Sequence, residues 1–296
     1  MTDGLFTIRD FLRYAVSEFR KANLVFGHGA AEALDEAAFL ILEALSLPVD
    51  DINPWLDARL TAGERERLAG LIRARVETRR PAPYLLNKAY IQGVAFYVDE
   101  RVIVPRSYIG ELLAGERFSL MRDPEGVSSV LDLCTGSGAL AVLAALAFPN
   151  AEVCAVDISA GALDVARKNV AMHQLETRVT LYEGDLFAPL AGRRFDLIVT
   201  NPPYVDAEAM AGLPPEYRAE PALALAGGPD GLDVVRRILA ETPKYLAPDG
   251  GLLCEIGEGR DILEAEYPHL NFFWLDTEES EGEVFWLWTS DFAGAR

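Results

Sequence analysis

Residues 195 to 206 read Phe-Asp-Leu-Ile-Val-Thr-Asn-Pro-Pro-Tyr-Val-Asp. The apolar run Leu197 to Val199 has β-strand character and stops at Asn201-Pro202-Pro203-Tyr204. Neither proline has an N–H to donate, so the strand cannot continue and the chain must leave the sheet in a stiff loop. That loop offers a side-chain amide oxygen (Asn201), a backbone carbonyl (Pro202) and an aromatic face (Tyr204). Two acceptors and a ring form a receptor for a planar –NH2 group. Asn201, Pro202 and Tyr204 are therefore the candidate catalytic residues, with Pro203 completing the substrate-binding loop.

Three other predicted strands end in residues of similar interest. After Val130 to Leu133 comes Cys134-Thr135-Gly136-Ser137-Gly138. Gly136 and Gly138 let a ligand approach the backbone, and free N–H groups at a helix start favour an anion. Tight strand-to-helix packing explains such a turn equally well. After Val153 to Val156 comes Asp157, about twenty residues on, where an acid commonly holds a ribose diol. Its alternative role is a helix N-terminal charge beside the cap Ser159. After Val179 to Tyr182 comes Gly184-Asp185-Leu186-Phe187, where Asp185 can accept from an adenine amino group while Leu186 and Phe187 flank the ring. Four strand ends carrying ligand-competent residues are harder to explain by packing than any one of them.

These positions require a sheet. From about residue 127, apolar strand runs alternate with helices predicted over Ala139 to Phe148, Ala160 to His173 and 232 to 246. A strand is expected over Gly251 to Ile256. A terminal antiparallel pair, Phe272 to Leu275 and Val284 to Trp288, is expected around an acidic turn from Asp276 to Glu283. The alternation predicts an α/β domain with a parallel sheet covered on both faces, whose ligands bind beyond the carboxyl ends of the strands.

The first 80 residues read as helices. Thr7 opens a face of Ile8, Leu12, Ala15, Val16 and Phe19, and Gly27-His28-Gly29 breaks it. A second helix runs from Asp35 to Leu47 before Pro48. Thr61 and Glu64 have the form of a capping box for a third, with Leu68, Leu71, Ile72 and Val76 inward. Arg65, Arg67, Arg73, Arg75, Arg79 and Arg80 are read as its outer face, either solvated beside Glu64, Glu66 and Glu77 or a contact for RNA or an acidic surface. Between Pro81 and Pro105 the pattern suggests a hairpin, with Val102 to Val104 as part of it. The expected organisation is a helical substrate-recognition unit over 1–80, a β-hairpin linker over 81–110 and a catalytic domain over 111–296.

Half of the 296 residues are apolar, which predicts a globular chain, and the net charge of -19 makes phosphate backbones poor partners and a basic protein a good one. The three cysteines (Cys134, Cys154 and Cys254) are too few and too apolar in context for a disulfide framework, and no Cys/His cluster has metal-ligand spacing. No signal stretch or membrane span is expected, so a cytoplasmic protein is anticipated. His28, His173 and His269 are placed in a turn, at a helix end and near the C-terminus, as surface or capping residues.

The four strand ends together resemble the class I S-adenosylmethionine-dependent methyltransferases. That resemblance implies a Rossmann-like, mostly parallel seven-stranded sheet with an antiparallel terminal strand. Its cofactor is S-adenosyl-L-methionine and its product S-adenosyl-L-homocysteine. Cofactor contacts are implied at Asp132, Thr135, Gly136, Gly138, Asp157, Ile158, Asp185, Leu186 and Asn201. Cys134 departs from the usual glycine. The order of helical unit, hairpin with Val104-Pro105-Arg106, sheet domain and Asn-Pro-Pro-Tyr resembles the protein-(glutamine-N5) methyltransferases of the HemK/PrmC and PrmB group across nearly the whole chain. Gly27-His28-Gly29, Phe96 to Val102, Leu131 to Gly138, Thr200 to Glu208 and Glu216 to Pro221 are most similar to members that act on large-subunit ribosomal protein three. The implied substrate is that basic ribosomal protein, free or in a pre-ribosomal particle. A peptide-release factor is the rival within the family. A nucleic-acid amine methyltransferase and a catalytically silent ribosome-assembly module are the rivals outside it. Arg106 is assigned to the substrate site, where it closes over the site or braces the two units, with Glu220 orienting the Asn201 loop. Phe96 and Tyr97 are open between donor contact and hairpin core.

Overall fold

The computed structural model describes residues 4–115, 120–121, 123–278 and 280–294. Residue 279, in the predicted acidic turn, lies outside them.

The N-terminal helices are α1 (Ile8–Lys21), α2 (Ala33–Ala44), α3 (Ala62–Thr78) and α4 (Ala82–Leu86). Capping boxes start α1 and α3, pairing Thr7 with Asp10 and Thr61 with Glu64, so each first turn has its loose N–H groups satisfied. The buried faces join in one core through Phe11, Phe19, Leu40, Ile41, Leu68 and Ile72. The second helix ends earlier than predicted, with Ser46 in a left-handed turn at φ 58 before Pro48.

The arginine face of α3 is not one surface. Arg75 is fully buried and ion-pairs with Glu36, itself 1% exposed. Arg79 caps the helix at φ 57 and donates to the carbonyls of Ala22 (3.0 Å) and Asn23 (2.9 Å). Arg80 pairs with Glu100. Only Arg65, Arg67 and Arg73 of the predicted patch are left outside these pairings, which removes the continuous basic stripe an RNA contact would use.

The predicted linker is more varied than a hairpin. It begins with α4, continues as β1 (Ala89–Ile91) and β2 (Val94–Phe96), and ends in α5 (Ile109–Ala114). Gln92 (φ 49) and Gly93 (φ 74) form the tight turn of the hairpin. Val102 to Val104 is not a strand, because the Val104 N–H donates to the Glu220 carboxylate (2.9 Å) instead of a neighbouring strand.

The rest follows as β3 (Ser129–Leu133), α6 (Ala139–Ala147), β4 (Glu152–Asp157), α7 (Ala160–Met172), β5 (Val179–Glu183), β6 (Phe195–Thr200), α8 (Ala207–Gly212), α9 (Asp233–Glu241), β7 (Leu246–Glu255), α10 (Arg260–Glu266), β8 (Phe273–Leu275) and β9 (Val284–Trp288). The 7-stranded sheet has the order β5-β4-β3-β6-β7-β9-β8. Its strands are parallel except β9, which runs antiparallel to β7 and β8. This is the mostly parallel α/β methyltransferase architecture with its reversed last strand. Helix α9 stops short of the predicted 246 because Pro243 turns the chain into a 3-10 segment. Phe96 and Trp286 are fully buried in the core on one face of the sheet, so Phe96 is a core residue. The sheet order reverses between β3 and β6, and the candidate residues of the catalytic domain lie at or just beyond strand ends near that point, except Asp132, which lies within β3.

Candidate active site

Two cavities meet at the carboxyl ends of these strands. The first, of about 200 Å³, is lined by Gly136, Asp157, Ile158, Asp185, Leu186, Asn201 and Pro203 among others. Asp157 accepts from Gly136 N (2.8 Å) and Ser159 N (2.8 Å), tying the glycine turn to the start of α7. The turn's anion is therefore the chain's own carboxylate, and the N–H groups of Gly136 and Gly138 are not free: the latter donates to Thr135 O (2.8 Å). Gly138 sits at φ 78, and a Cβ there would lie 3.0 Å from the Ala166 methyl, so only glycine fits. Cys134 holds a left-handed φ of 57, where glycine would be relaxed, and keeps the turn intact. Asp132, Thr135 and Gly138 do not line the cavity. Asp132 is fully buried and accepts from the Thr135 hydroxyl (2.5 Å). Asp185 pairs with Arg237 (2.7 Å) at the cavity edge. Ile158 (54% exposed) and Leu223 (60% exposed) leave apolar surface at this cavity for a flat ring to cover. Acids placed for a diol and an amine, with apolar faces between them, fit S-adenosyl-L-methionine.

The second cavity, of about 190 Å³, is lined by Arg106, Asn201, Pro202, Tyr204, Tyr217 and neighbouring apolar residues. Asn201, Ile103 and Ala224 line both cavities. Neither the Asn201 side chain nor the Pro202 carbonyl has a hydrogen-bond partner among the described residues. Tyr204 donates its hydroxyl to Glu255 (2.9 Å), and Glu255 also accepts from Ser107 Oγ (2.6 Å) and Tyr108 N (3.0 Å). Gly257, at φ 58, leaves room for the Tyr204 ring, which a Cβ would approach to 2.9 Å. The hydroxyl bond and the close approach of Gly257 fix the ring where it lines the cavity.

The segment after the loop locks this cavity to the helical unit. Glu220 holds Arg106 through two short bonds (2.6 and 2.7 Å), and Arg106 also donates to Val104 O (3.1 Å). Burial alone would raise the Glu220 carboxyl, but the Arg106 guanidinium and His28 beside it hold it down to about 2. Arg106 therefore braces the wall of the cavity. Glu216, fully buried, accepts from Val25 N (3.1 Å) and pairs with Arg79 (2.6 Å). Tyr217 packs against His28 with ring centroids 4.3 Å apart. His28 is 2% exposed, not a surface residue as its turn position suggested. His173 caps α7 and meets Ala95 O (2.8 Å).

Burial pushes Asp132 up to about 7 against the Thr135 hydroxyl bond, and burial likewise raises Asp157 and Glu255. A raised folded-state value stabilises the fold fully below the unfolded value, near pH 4, and the contribution is lost as pH rises through the folded value. The stability of wild type relative to Asp132→Asn should accordingly fall between about pH 4 and 7. Thermal unfolding of both proteins across that range measures it; a pH-independent difference contradicts it.

The sequence reading missed Glu255, Ile103 and Leu223. Glu255 had a signal, a lone carboxylate closing the apolar strand Leu252 to Ile256. Ile103 and Leu223 had none, since each is an ordinary apolar residue in an irregular segment.

The chain matches the family model "Methyltransferase small domain" over residues 118–213. It is 60% identical to the ribosomal protein uL3 glutamine methyltransferase of Bradyrhizobium diazoefficiens, over 97% of this chain and 92% of that protein. It is 52% identical to the protein of the same name from Burkholderia pseudomallei, over 96% of this chain and 95% of the other. Among solved structures, the hMettl16 catalytic domain in complex with the MAT2A 3'UTR hairpin 6 shares the fold at a TM-score of 0.51 and 14% identity, covering 77% of this chain and 81% of that one. Among the described residues, no helix is long and apolar enough to cross a membrane. The chain belongs to the ribosomal protein uL3 glutamine methyltransferase family.

Proposed function

We propose that the protein methylates the side-chain amide nitrogen, N5, of a glutamine on large-subunit ribosomal protein three (uL3). The observation that carries this reading is Asn201, which lines both the donor and the acceptor cavity and whose side-chain oxygen, with the adjacent Pro202 O in the acceptor cavity, makes two acceptors unpartnered among the described residues. When bound, S-adenosyl-L-methionine supplies an electrophilic methyl group on its sulfonium. A glutamine amide is a poor nucleophile because its lone pair is delocalised into the carbonyl. Asn201 Oδ1 and Pro202 O each accept one N–H of the substrate amide, fix its plane and turn the nitrogen toward the donor cavity. Tyr204 covers the amide and excludes water. Positioning of this kind supplies up to about 7–11 kcal/mol when the geometry is ideal. The acceptor cavity is lined by no carboxylate and no imidazole among the described residues. That agrees with loss of the product's proton after transfer, with no general base acting before it.

The helical unit is the natural holder of the protein substrate, because the sheet domain is taken by donor and chemistry. We place the reaction in the cytoplasm, on the ribosomal protein free or within an assembling particle. Purified protein with labelled methyl donor should label large-subunit ribosomal protein three in preference to a peptide-release factor or ribosomal RNA. Label on the release factor keeps the chemistry and overturns the target; label on RNA alone overturns the substrate class.

A further inference from the structure

A third cavity, of about 560 Å³, opens in the helical unit between α1, α2, the segment around residues 49–56 and the hairpin. Its polar lining is one-sided. Asp35, Asp50 and Asp51 line it, no lysine or arginine does, and none of the three acids has an ion pair among the described residues. Leu34 stands in it 44% exposed. His28 also lines it, with a side chain wholly removed from solvent and neither ring nitrogen hydrogen-bonded among the described residues. The Glu220 carboxylate, 3.7 Å from His28 Nε2, lies within ion-pair range and outside hydrogen-bond range. Buried ring nitrogens left without a hydrogen bond are unfavourable.

An occupant that suits these walls carries N–H donors and positive charge beside an apolar side chain. We propose that the cavity takes a lysine- or arginine-containing segment of the ribosomal-protein substrate, distinct from the methylated glutamine. The proposal rests on the function proposed above. The cation lies against Asp35, Asp50 and Asp51, a polar group of the segment pairs with the His28 ring, and its apolar neighbour covers Leu34. Charge complementarity favours this occupant: the chain carries -19 and the cavity adds acids with no compensating base. The site also has a contact toward the chemistry, since the His28 ring packs on Tyr217, which lines the acceptor cavity.

The test uses full-length protein and intact ribosomal protein three, with the Kd measured in the absence of methyl donor and KM and kcat measured in its presence. The charge variant Asp35→Asn/Asp50→Asn and the filling variant Ala38→Trp should each raise Kd and KM about tenfold or more and leave kcat nearly unchanged. The control Glu66→Gln/Glu77→Gln removes as much charge from the exposed face of α3 and should change neither. Kd values for both cavity variants equal to wild type, or matched by the control, overturn the proposal. Wild type that binds the ribosomal protein but transfers no methyl sinks the functional reading instead, while the Kd comparison still decides the cavity.

Discussion

Asn201→Ala should lower kcat/KM for methylation by about 10²–10³-fold, with the affinity for S-adenosyl-L-methionine largely kept. The side chain lies at the junction of the cavities and is, with Pro202 O in the acceptor cavity, one of two acceptors unpartnered among the described residues. Without it the substrate amide keeps a single anchor at Pro202 O and can rotate about it, so its nitrogen is no longer aimed. The donor cavity has other holds, including Asp157 on the glycine turn and the apolar surfaces of Ile158, Leu186 and Leu223, none of which depends on Asn201. Methyl transfer measured alongside donor titration checks the split. Equal loss of both would show that Asn201 holds the donor and not the acceptor.

Arg75→Ala should destabilise the protein by about 3–5 kcal/mol. Arg75 and Glu36 are both within 1% of full burial, and the arginine also donates to Val25 O (3.2 Å) and Arg79 O (3.1 Å). Removing it strands the Glu36 carboxylate in the core of the helical unit and leaves two carbonyls without donors. The pairwise replacement Arg75→Met/Glu36→Leu removes both charges and should recover a large part of the loss, because a buried ion pair offsets little more than its own desolvation. Chemical denaturation of the two variants measures this. A double variant as unstable as Arg75→Ala would mean that the packing around the guanidinium, not the stranded charge, sets the effect.

The catalytic domain was legible because its pattern is local. Each apolar run ends in a polar residue that has no reason to sit in a sheet, and Asp157, Asp185 and Asn201 all line the donor cavity at those ends. The helical unit was legible in its helices and misread in its charges. Arg75 follows Leu68 and Ile72 at seven and three residues, the inward stripe of α3, yet its residue type suggested the outer face. Only a partner from another helix, Glu36, makes that position tenable, and residue spacing carries no record of it. The same holds for His28, buried by Tyr217 and Glu220 from about 190 residues away. For Arg106 the sequence left two roles open, and the Glu220 bonds favour bracing. The contacts that join acceptor loop to helical unit are all long-range, and for that reason none could be read from a local pattern.

In the proposed function the Asn201 loop orients a planar amide for methylation at nitrogen. Tandem mass spectrometry of ribosomal protein three after reaction with the purified protein and S-adenosyl-L-methionine tests it most directly. The expected result is one methyl group on the side-chain nitrogen of a glutamine, absent when Asn201→Ala replaces wild type. A methyl group on a lysine, an arginine or a main-chain amine, or one still installed by Asn201→Ala, would contradict the account.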